Sequence, residues 1–146
     1  HPKDIHGVAG DIGSGPLAVG ANCGVGASDI LSSLLDMTGA NPSATVVVKG
    51  NCGIPEYRGA EIYYSGTPPL MAEYARLARD AGARIIGGCC GTSCEHLAAM
   101  RVALDAHEPH ERPTLETIIE KIGPLRNKTA DESAAAPARE RGRRRG

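Results

Sequence analysis

The sequence predicts an α/β fold made of three strand–helix units and one further helix. Two observations predict it: short apolar or β-branched runs recur, and a segment with apolar residues at helical spacing follows each of them. Strands in this order cannot pair as hairpins across the intervening helices, so we expect a parallel sheet with right-handed crossovers. The composition supports a globular protein, because 41% of the 146 residues are hydrophobic.

The first two units are marked by strand runs and helix-start signals. An apolar run over residues 17–22 predicts the first strand, and Ser28 is expected to cap the helix that follows. Residues 44–49 contain three consecutive Val residues and predict the second strand, which ends in a glycine-containing turn. We expect a long loop next, and then a helix whose start is marked by Thr67 and Pro68.

The third unit and the last helix complete the predicted elements. Residues 83–87 predict a strand, and Thr92 with Glu95 predicts a capping box for the next helix. A short amphipathic helix is predicted over residues 114–122.

The chain divides into three segments of different composition. Residues 1–16 are glycine-rich and predict an irregular lead-in, whereas residues 17–125 carry all the predicted elements. Residues 126–146 hold seven Lys or Arg against three acidic residues and predict a disordered basic tail. Nucleic-acid binding is not expected from it, because short basic termini are commonly solvated. We expect a cytoplasmic protein without a membrane partner, since no apolar run approaches the roughly 20 residues that span a bilayer.

Common nucleotide and hydrolase motifs do not explain the chain. Residues 13–18 match a glycine-rich dinucleotide pattern, but they precede a predicted strand where that fingerprint must follow one. Neither a phosphate-binding GxxxxGK[ST] motif nor a GxSxG nucleophile elbow occurs.

The cysteines carry the strongest chemical signal. They are Cys23, Cys52, Cys89, Cys90 and Cys94. The first four follow predicted strands, and parallel strands end at one edge of a sheet, so these thiols are expected to meet there. An odd number of cysteines in a protein expected to be intracellular favours metal or thiol chemistry over a disulfide framework.

Zinc and simple burial are two open explanations for these thiols. Catalytic zinc sites keep three protein ligands and leave the fourth position open, and Cys23, Cys89 and Cys90 fit that count. The glycines around the Cys89–Cys90 pair would allow the sharp bend that two adjacent ligands need. From the residues alone, burial of small cysteines at strand ends explains them equally well. A disulfide between Cys89 and Cys90 is less favoured, because adjacent residues strain its geometry.

Four short stretches then resemble one family. They are Gly20-Ala-Asn-Cys-Gly24, Asn51-Cys-Gly-Ile-Pro55, Thr67-Pro with Met71-Ala, and Gly87-Gly-Cys-Cys-Gly-Thr92 followed by Glu95-His96-Leu97. In this order they resemble the homocysteine S-methyltransferase family over roughly residues 17–107. The resemblance implies a (β/α)8 TIM barrel, of which this chain would supply the last three βα units and a C-terminal helix.

The resemblance also implies a metal site. Cys23, Cys89 and Cys90 match the three zinc ligands of the family. Asn51 matches an Asn that lies near the fourth position of the metal in some members.

Three further residues depart from the family pattern or add little to the site. Cys52 stands where relatives have a small residue such as Ala, and it is expected to be a small strand-end residue. Cys94 stands where Pro is common at a helix start, and it is expected to be a tolerated substitution. His96 matches a frequent family His and is expected to pack or to cap its helix.

The implied reaction is zinc-dependent methyl transfer to the thiol of homocysteine, which gives methionine. Coordination to zinc would keep that thiol deprotonated near neutral pH. The implied partners are homocysteine and a small methyl donor, which is betaine, a sulfonium or methylcobalamin. Because residues 108–146 contain no folate or cobalamin module, we favour a betaine-type donor.

Three βα units account for less than half of an eight-stranded barrel. We therefore expect the chain to be a fragment of the full enzyme, inactive alone and paired with the missing barrel half or with itself. The alternative is a zinc-binding or pairing module without turnover of its own.

Overall fold

The computed structural model describes residues 16–23, 26–53 and 55–126. Most of the predicted lead-in and nearly all of the predicted basic tail lie outside these residues. The described part of the chain contains five strands and four helices. In chain order they are β1 (Val19–Cys23), α1 (Ala27–Ala40), β2 (Val46–Gly50), β3 (Pro55–Arg58), β4 (Glu61–Tyr64), α2 (Pro68–Asp80), β5 (Ile85–Gly88), α3 (Cys94–Asp105) and α4 (Leu115–Ile122).

The main sheet is parallel and has the strand order β1-β2-β5. Cys23, the last residue of β1, is level with Gly50, and Gly50 is level with Gly88 of β5. The three strands therefore end side by side at one edge. The predicted α/β class and the three βα units are confirmed, and the helix after them is confirmed as well.

The helices cover one face of this sheet. Val46 and Val48 of β2 are fully buried on the helix side, while Lys49, which points to the opposite face, is exposed. The largest fully buried side chains are Tyr74, Leu31, Leu34, Met37, Met71 and Ile118. Each buried Leu or Met of this kind stabilises the fold by about 1.5–3 kcal/mol. With Val46 and Val48 these side chains form one core between β2 and the helices, and Met100 of α3 belongs to it.

The long loop expected after β2 is wrong, because β3 and β4 form an antiparallel hairpin there. Arg58 pairs with Glu61, which leaves a two-residue turn of Gly59 and Ala60. Gly59 has a φ of +67°, and glycine at the first turn position is typical of a type II′ hairpin.

One predicted helix start is confirmed and two are wrong. Thr67 caps α2 by accepting a hydrogen bond from the Leu70 N–H. Ser28 lies inside α1, where Gly26 is the cap, and its hydroxyl donates instead to the carbonyl of Gly123 at 2.7 Å. The capping box of α3 uses Ser93 rather than Thr92, with His96 in place of the expected Glu95.

None of the helices that the structure describes is both long enough and apolar enough to cross a bilayer.

Candidate metal centre at the strand ends

The carboxyl edge of the parallel sheet brings the predicted site residues together along the backbone. Cys23 ends β1, Asn51 directly follows β2, and Cys89 directly follows β5. Neighbouring strands lie about 4.8 Å apart, so only the width of β2 separates the end of β1 from the end of β5. The strand ends therefore meet at one edge, as expected for parallel strands in this order.

Backbone hydrogen bonds hold the Cys89–Cys90 segment against the end of β2. The Cys89 N–H donates to the Gly50 carbonyl at 2.8 Å, and the Cys52 N–H donates to the Cys90 carbonyl at 2.9 Å. Asn51 adds a side-chain contact, because its Oδ1 accepts a hydrogen bond from the Cys90 N–H at 3.3 Å. Asn51 is only 3% exposed, so this contact is buried on the Asn51 side, whereas Cys90 is exposed.

Two glycines allow the bend at this segment. Gly91 has a φ of +75°, which side-chain-bearing residues rarely adopt, and a Cβ there would overlap the ring of Tyr64. A Cβ on Gly88 would overlap the side chain of Thr92. The glycines on both sides of the cysteine pair are therefore required by conformation and by space.

The two adjacent thiols have a separation that suits one tetrahedral metal. The sulfurs of Cys89 and Cys90 are 3.9 Å apart. Two thiolates on one zinc, each with a bond of about 2.3 Å, lie about 3.8 Å apart in tetrahedral geometry. The same distance is almost twice a disulfide bond length, so the two sulfurs are not bonded to each other. The two thiols of Cys89 and Cys90 and their spacing fit zinc.

The end of β1 reaches this pair through Asn22. The side-chain amide of Asn22 lies 3.9 Å from the sulfur of Cys89, across the end of β2. Cys23 follows Asn22 in the chain and ends the same strand. The backbone of β1 thus ends with Cys23 at the edge where Cys89 and Cys90 lie.

The open face of the sheet carries Lys49 on its middle strand, β2. Lys49 is level with Asn22 on one side and with Gly87 on the other. A Cβ on Gly87 would come within 3.3 Å of the Lys49 Cγ, so the stem of Lys49 crosses over Gly87. The side chain of Lys49 therefore runs along the open face toward β5, the strand that Cys89 follows.

The remaining described cysteines differ sharply in exposure. Cys52 is fully buried in the core, and burial raises the pKa of its thiol. Its expected role as a small strand-end residue agrees with this position. Cys94 is exposed and is the first residue of α3.

His96 caps its helix, as expected. Its Nδ1 accepts a hydrogen bond from the Ser93 N–H at 3.1 Å. Because Nδ1 is the acceptor, Nε2 carries the proton and faces the Gly66 carbonyl at 3.4 Å. His96 thus connects the start of α3 to the segment that follows the hairpin.

Comparison with known families decides the assignment. The family model for homocysteine S-methyltransferases matches residues 4–104, which is more than half of the chain. The chain belongs to the homocysteine S-methyltransferase family. The match begins at residue 4, which is closer to the N-terminus than the quoted motifs. The reaction of this family is methyl transfer to homocysteine.

Several residues near the site were not identified from the sequence. The hydroxyl of Tyr74 accepts a hydrogen bond from the buried Gly50 N–H at 3.0 Å, directly beneath the strand ends. Asn22 belongs to the Gly20–Gly24 motif, but the sequence assigned it no role, and Lys49 lies outside the quoted motifs. The register of the sheet places Asn22 level with Lys49 and brings the Asn22 amide beside the sulfur of Cys89.

Proposed function

We propose that this chain provides the zinc-binding part of an enzyme that transfers a methyl group from a betaine-type donor to the thiol of homocysteine. The products are methionine and the demethylated amine, and the thiol proton goes to solvent. The observation that carries the proposal is the 3.9 Å separation of the Cys89 and Cys90 sulfurs at the edge where β1 delivers Cys23. The family match supports homocysteine as the methyl acceptor.

Cys23, Cys89 and Cys90 would hold the zinc ion. Bound there, zinc would act as a Lewis acid that keeps the homocysteine thiol deprotonated at neutral pH. Asn51 fixes the Cys90 backbone through its Oδ1, and it remains our candidate for the residue near the fourth ligand position. Cys90 is exposed, so a substrate thiol can approach the edge from solvent.

Lys49 is suited to bind the carboxylate of homocysteine. Lys49 is exposed on the open face, and its stem crosses over Gly87 of β5, the strand that Cys89 follows. A carboxylate held by this cation would orient the thiol of the same substrate molecule toward the strand ends. Positioning of this kind contributes several kcal/mol to a bimolecular reaction.

The β3–β4 hairpin favours a cationic donor. It carries three of the four tyrosines of the chain, and the ring of Tyr64 lies against Gly91, one residue after Cys90. The hairpin already holds one cation on an aromatic ring, since the Arg58 guanidinium lies 4.9 Å from the Tyr63 ring centroid. Quaternary ammonium groups are recognised by aromatic rings in the same way.

We further propose that the three βα units belong to a (β/α)8 barrel. The open face of the sheet, on the side away from the helices, includes Ile85, which is 50% exposed, beside Val47. Within the described residues, β1 and β5 each have one edge without a neighbouring strand. Further βα units, in the same chain or in another, would pair with these edges and enclose the open face.

A module without turnover is the second candidate function. The same two open edges favour it, because parallel strands with exposed edges pair readily with other strands. Such a module would bind zinc and a partner but would not methylate homocysteine, even when the partner is present.

Methionine production distinguishes the two functions. The chain is combined with the remaining βα units of a family barrel, fused or as a separate chain, and supplied with zinc, homocysteine and a trimethylammonium donor. We expect zinc-dependent methionine formation that is lost in Cys89→Ala and shows a higher KM for homocysteine in Lys49→Met. Reactions with a sulfonium donor and with methylcobalamin test the donor class. Zinc binding without methionine from any donor would support the module instead.

A further inference from the structure

A second group of metal-binding side chains lies away from the thiol edge. Asp80 is the last residue of α2, and His107 and His110 lie in the segment between α3 and α4. One ligand atom from each of the three lies within 4.8 Å of the other two. Asp80 precedes β5, whereas Cys89 follows it, so the two groups lie at opposite ends of this strand.

Hydrogen bonds already draw these side chains together. His107 Nε2 and Asp80 Oδ1 are 2.8 Å apart, and both side chains are more than 90% buried. The His110 N–H donates to the same Asp80 Oδ1 at 3.0 Å. Two ligand atoms bonded to one tetrahedral metal at about 2.0–2.1 Å lie about 3.3 Å apart, so a cation can replace the shared proton once these two atoms separate by about 0.5 Å.

The tautomer of His110 is set for ligation. Its Nδ1 lies 2.5 Å from the carbonyl oxygen of Glu108. Because a carbonyl only accepts, Nδ1 carries the proton and Nε2 keeps the lone pair. Metal-binding histidines commonly donate their other ring N–H to a backbone carbonyl in this way.

The surroundings admit a cation. The three side chains line a cleft of about 990 Å³. The basic side chains of the same cleft are engaged elsewhere: Arg112 donates to the Leu35 carbonyl at 2.6 Å, while Arg76 and Lys121 both pair with Glu73. These positive charges are therefore held by other acceptors.

We propose that Asp80, His107 and His110 form a second metal site, selective for a divalent cation of the zinc class. Two imidazoles and one carboxylate suit Zn²⁺, Co²⁺ or Ni²⁺, with water completing the coordination. Binding releases the proton shared by Asp80 and His107 to solvent. The ion ties the end of α2 to the segment that leads into α4, and this site is independent of the function proposed for the thiols.

Cobalt titration of the full metal-free chain tests the proposal. Thiolate-bound Co²⁺ gives an intense charge-transfer absorption, which nitrogen and oxygen ligands do not give. Equilibrium dialysis counts all bound cobalt, and the absorption counts the thiolate-bound part. We expect each chain to bind two equivalents of cobalt, and we expect one of the two to lack the charge-transfer band. If the thiol site fails to form, the equivalent without this band is still expected.

His110→Gln is the decisive variant, because His110 is exposed and its loss spares the core. We expect this variant to bind the equivalent without the charge-transfer band at least about tenfold more weakly and to keep the thiolate-bound one. His6→Gln, which removes an imidazole from another part of the chain, should retain both. Paramagnetic broadening of the His107 and His110 ring signals provides a second measurement on the unmutated chain. Equal cobalt binding by His110→Gln, or broadening that spares both rings, would overturn the proposal.

Discussion

The side-chain oxygen of Asn51 accepts a hydrogen bond from the Cys90 N–H at 3.3 Å, which ties the end of β2 to the cysteine pair after β5. The contact is buried on the Asn51 side. It fixes the backbone of a proposed metal ligand from the neighbouring strand. Asn51 therefore acts on the metal site through the position of Cys90, in addition to its proposed place near the fourth ligand.

Asn51→Ala should weaken metal binding without abolishing it. The Cys90 N–H loses an acceptor, and the loss of such a supporting contact typically lowers metal affinity about 10- to 100-fold. Asn51→Asp keeps an acceptor oxygen and should bind more tightly than the Ala variant. Competition with a chelator measures the affinities, and equal affinity for Asn51→Ala and the unmutated chain would contradict the positioning role.

Tyr74→Phe should destabilise the fold beneath the strand ends. The buried phenol accepts from the Gly50 N–H at 3.0 Å and donates to the Gly87 carbonyl at 3.4 Å, so it joins β2 to β5. Removing the hydroxyl leaves a buried N–H unpaired, which costs about 1–3 kcal/mol. Urea unfolding at one chain concentration measures this cost. The matched variant Tyr63→Phe loses an exposed hydroxyl and should change the stability by less than about 0.5 kcal/mol.

Glu73→Gln should reduce the stability near neutral pH and leave it unchanged in acid. Burial raises the pKa of Glu73, but hydrogen bonds and positive charge from Lys121 and Arg76 outweigh burial and bring it below its ordinary value of 4.5. A lowered pKa in the folded state stabilises the fold above the unfolded pKa, and this contribution is lost as the pH falls through the folded pKa.

The size of the Glu73 effect is limited by solvent. The side chains of Lys121 and Arg76 are 49% and 40% exposed, so we expect a loss of less than about 1 kcal/mol at pH 7. Thermal melts from pH 3 to pH 7 measure it, with the exposed Glu120→Gln as the control. If the difference in stability between Glu73→Gln and the unmutated chain grew as the pH fell below 4, the proposed role of Glu73 would be contradicted.

The isolated chain should self-associate. Within the described sheet, β1 and β5 leave unpaired edges, and Ile85 is half exposed on the open face. Ile85→Lys should weaken the association, whereas Tyr57→Lys on the hairpin, where Tyr57 is already 78% exposed, should not. Sedimentation velocity over a range of concentrations checks both, and a strictly monomeric unmutated chain would contradict the open-edge proposal.

The main elements were predictable because their signals are local. The Val run of β2 and the Thr67-Pro68 start of α2 each specify an element without help from distant residues. The hairpin was missed because its strands carry charged residues such as Glu56, Arg58 and Glu61 and lack a clear apolar alternation. The true cap of α3 was missed because His96, which is not a usual capping-box partner, replaces Glu at the third helical position.

The two candidate sites also differ in how far local sequence signals predict them. The shared edge of Cys23, Asn51 and Cys89 was predictable, because each of them lies at or directly after the end of a strand and parallel strands end together. Asp80 and His107 are 27 residues apart and meet only because α3 packs along α2 and returns the chain to its end. No spacing rule in the sequence connects them.

The zinc content of five variants, each with one cysteine replaced by alanine, tests the central claim most directly. The measurement uses atomic absorption on dialysed protein in a His110→Gln background, so that the thiol site alone is counted. We expect Cys23→Ala, Cys89→Ala and Cys90→Ala each to lose most of the zinc, because two thiolates cannot hold it, while Cys52→Ala and Cys94→Ala retain about one equivalent. Full zinc content in Cys23→Ala, or an equal loss in Cys52→Ala, would contradict a three-thiolate site with an open fourth position.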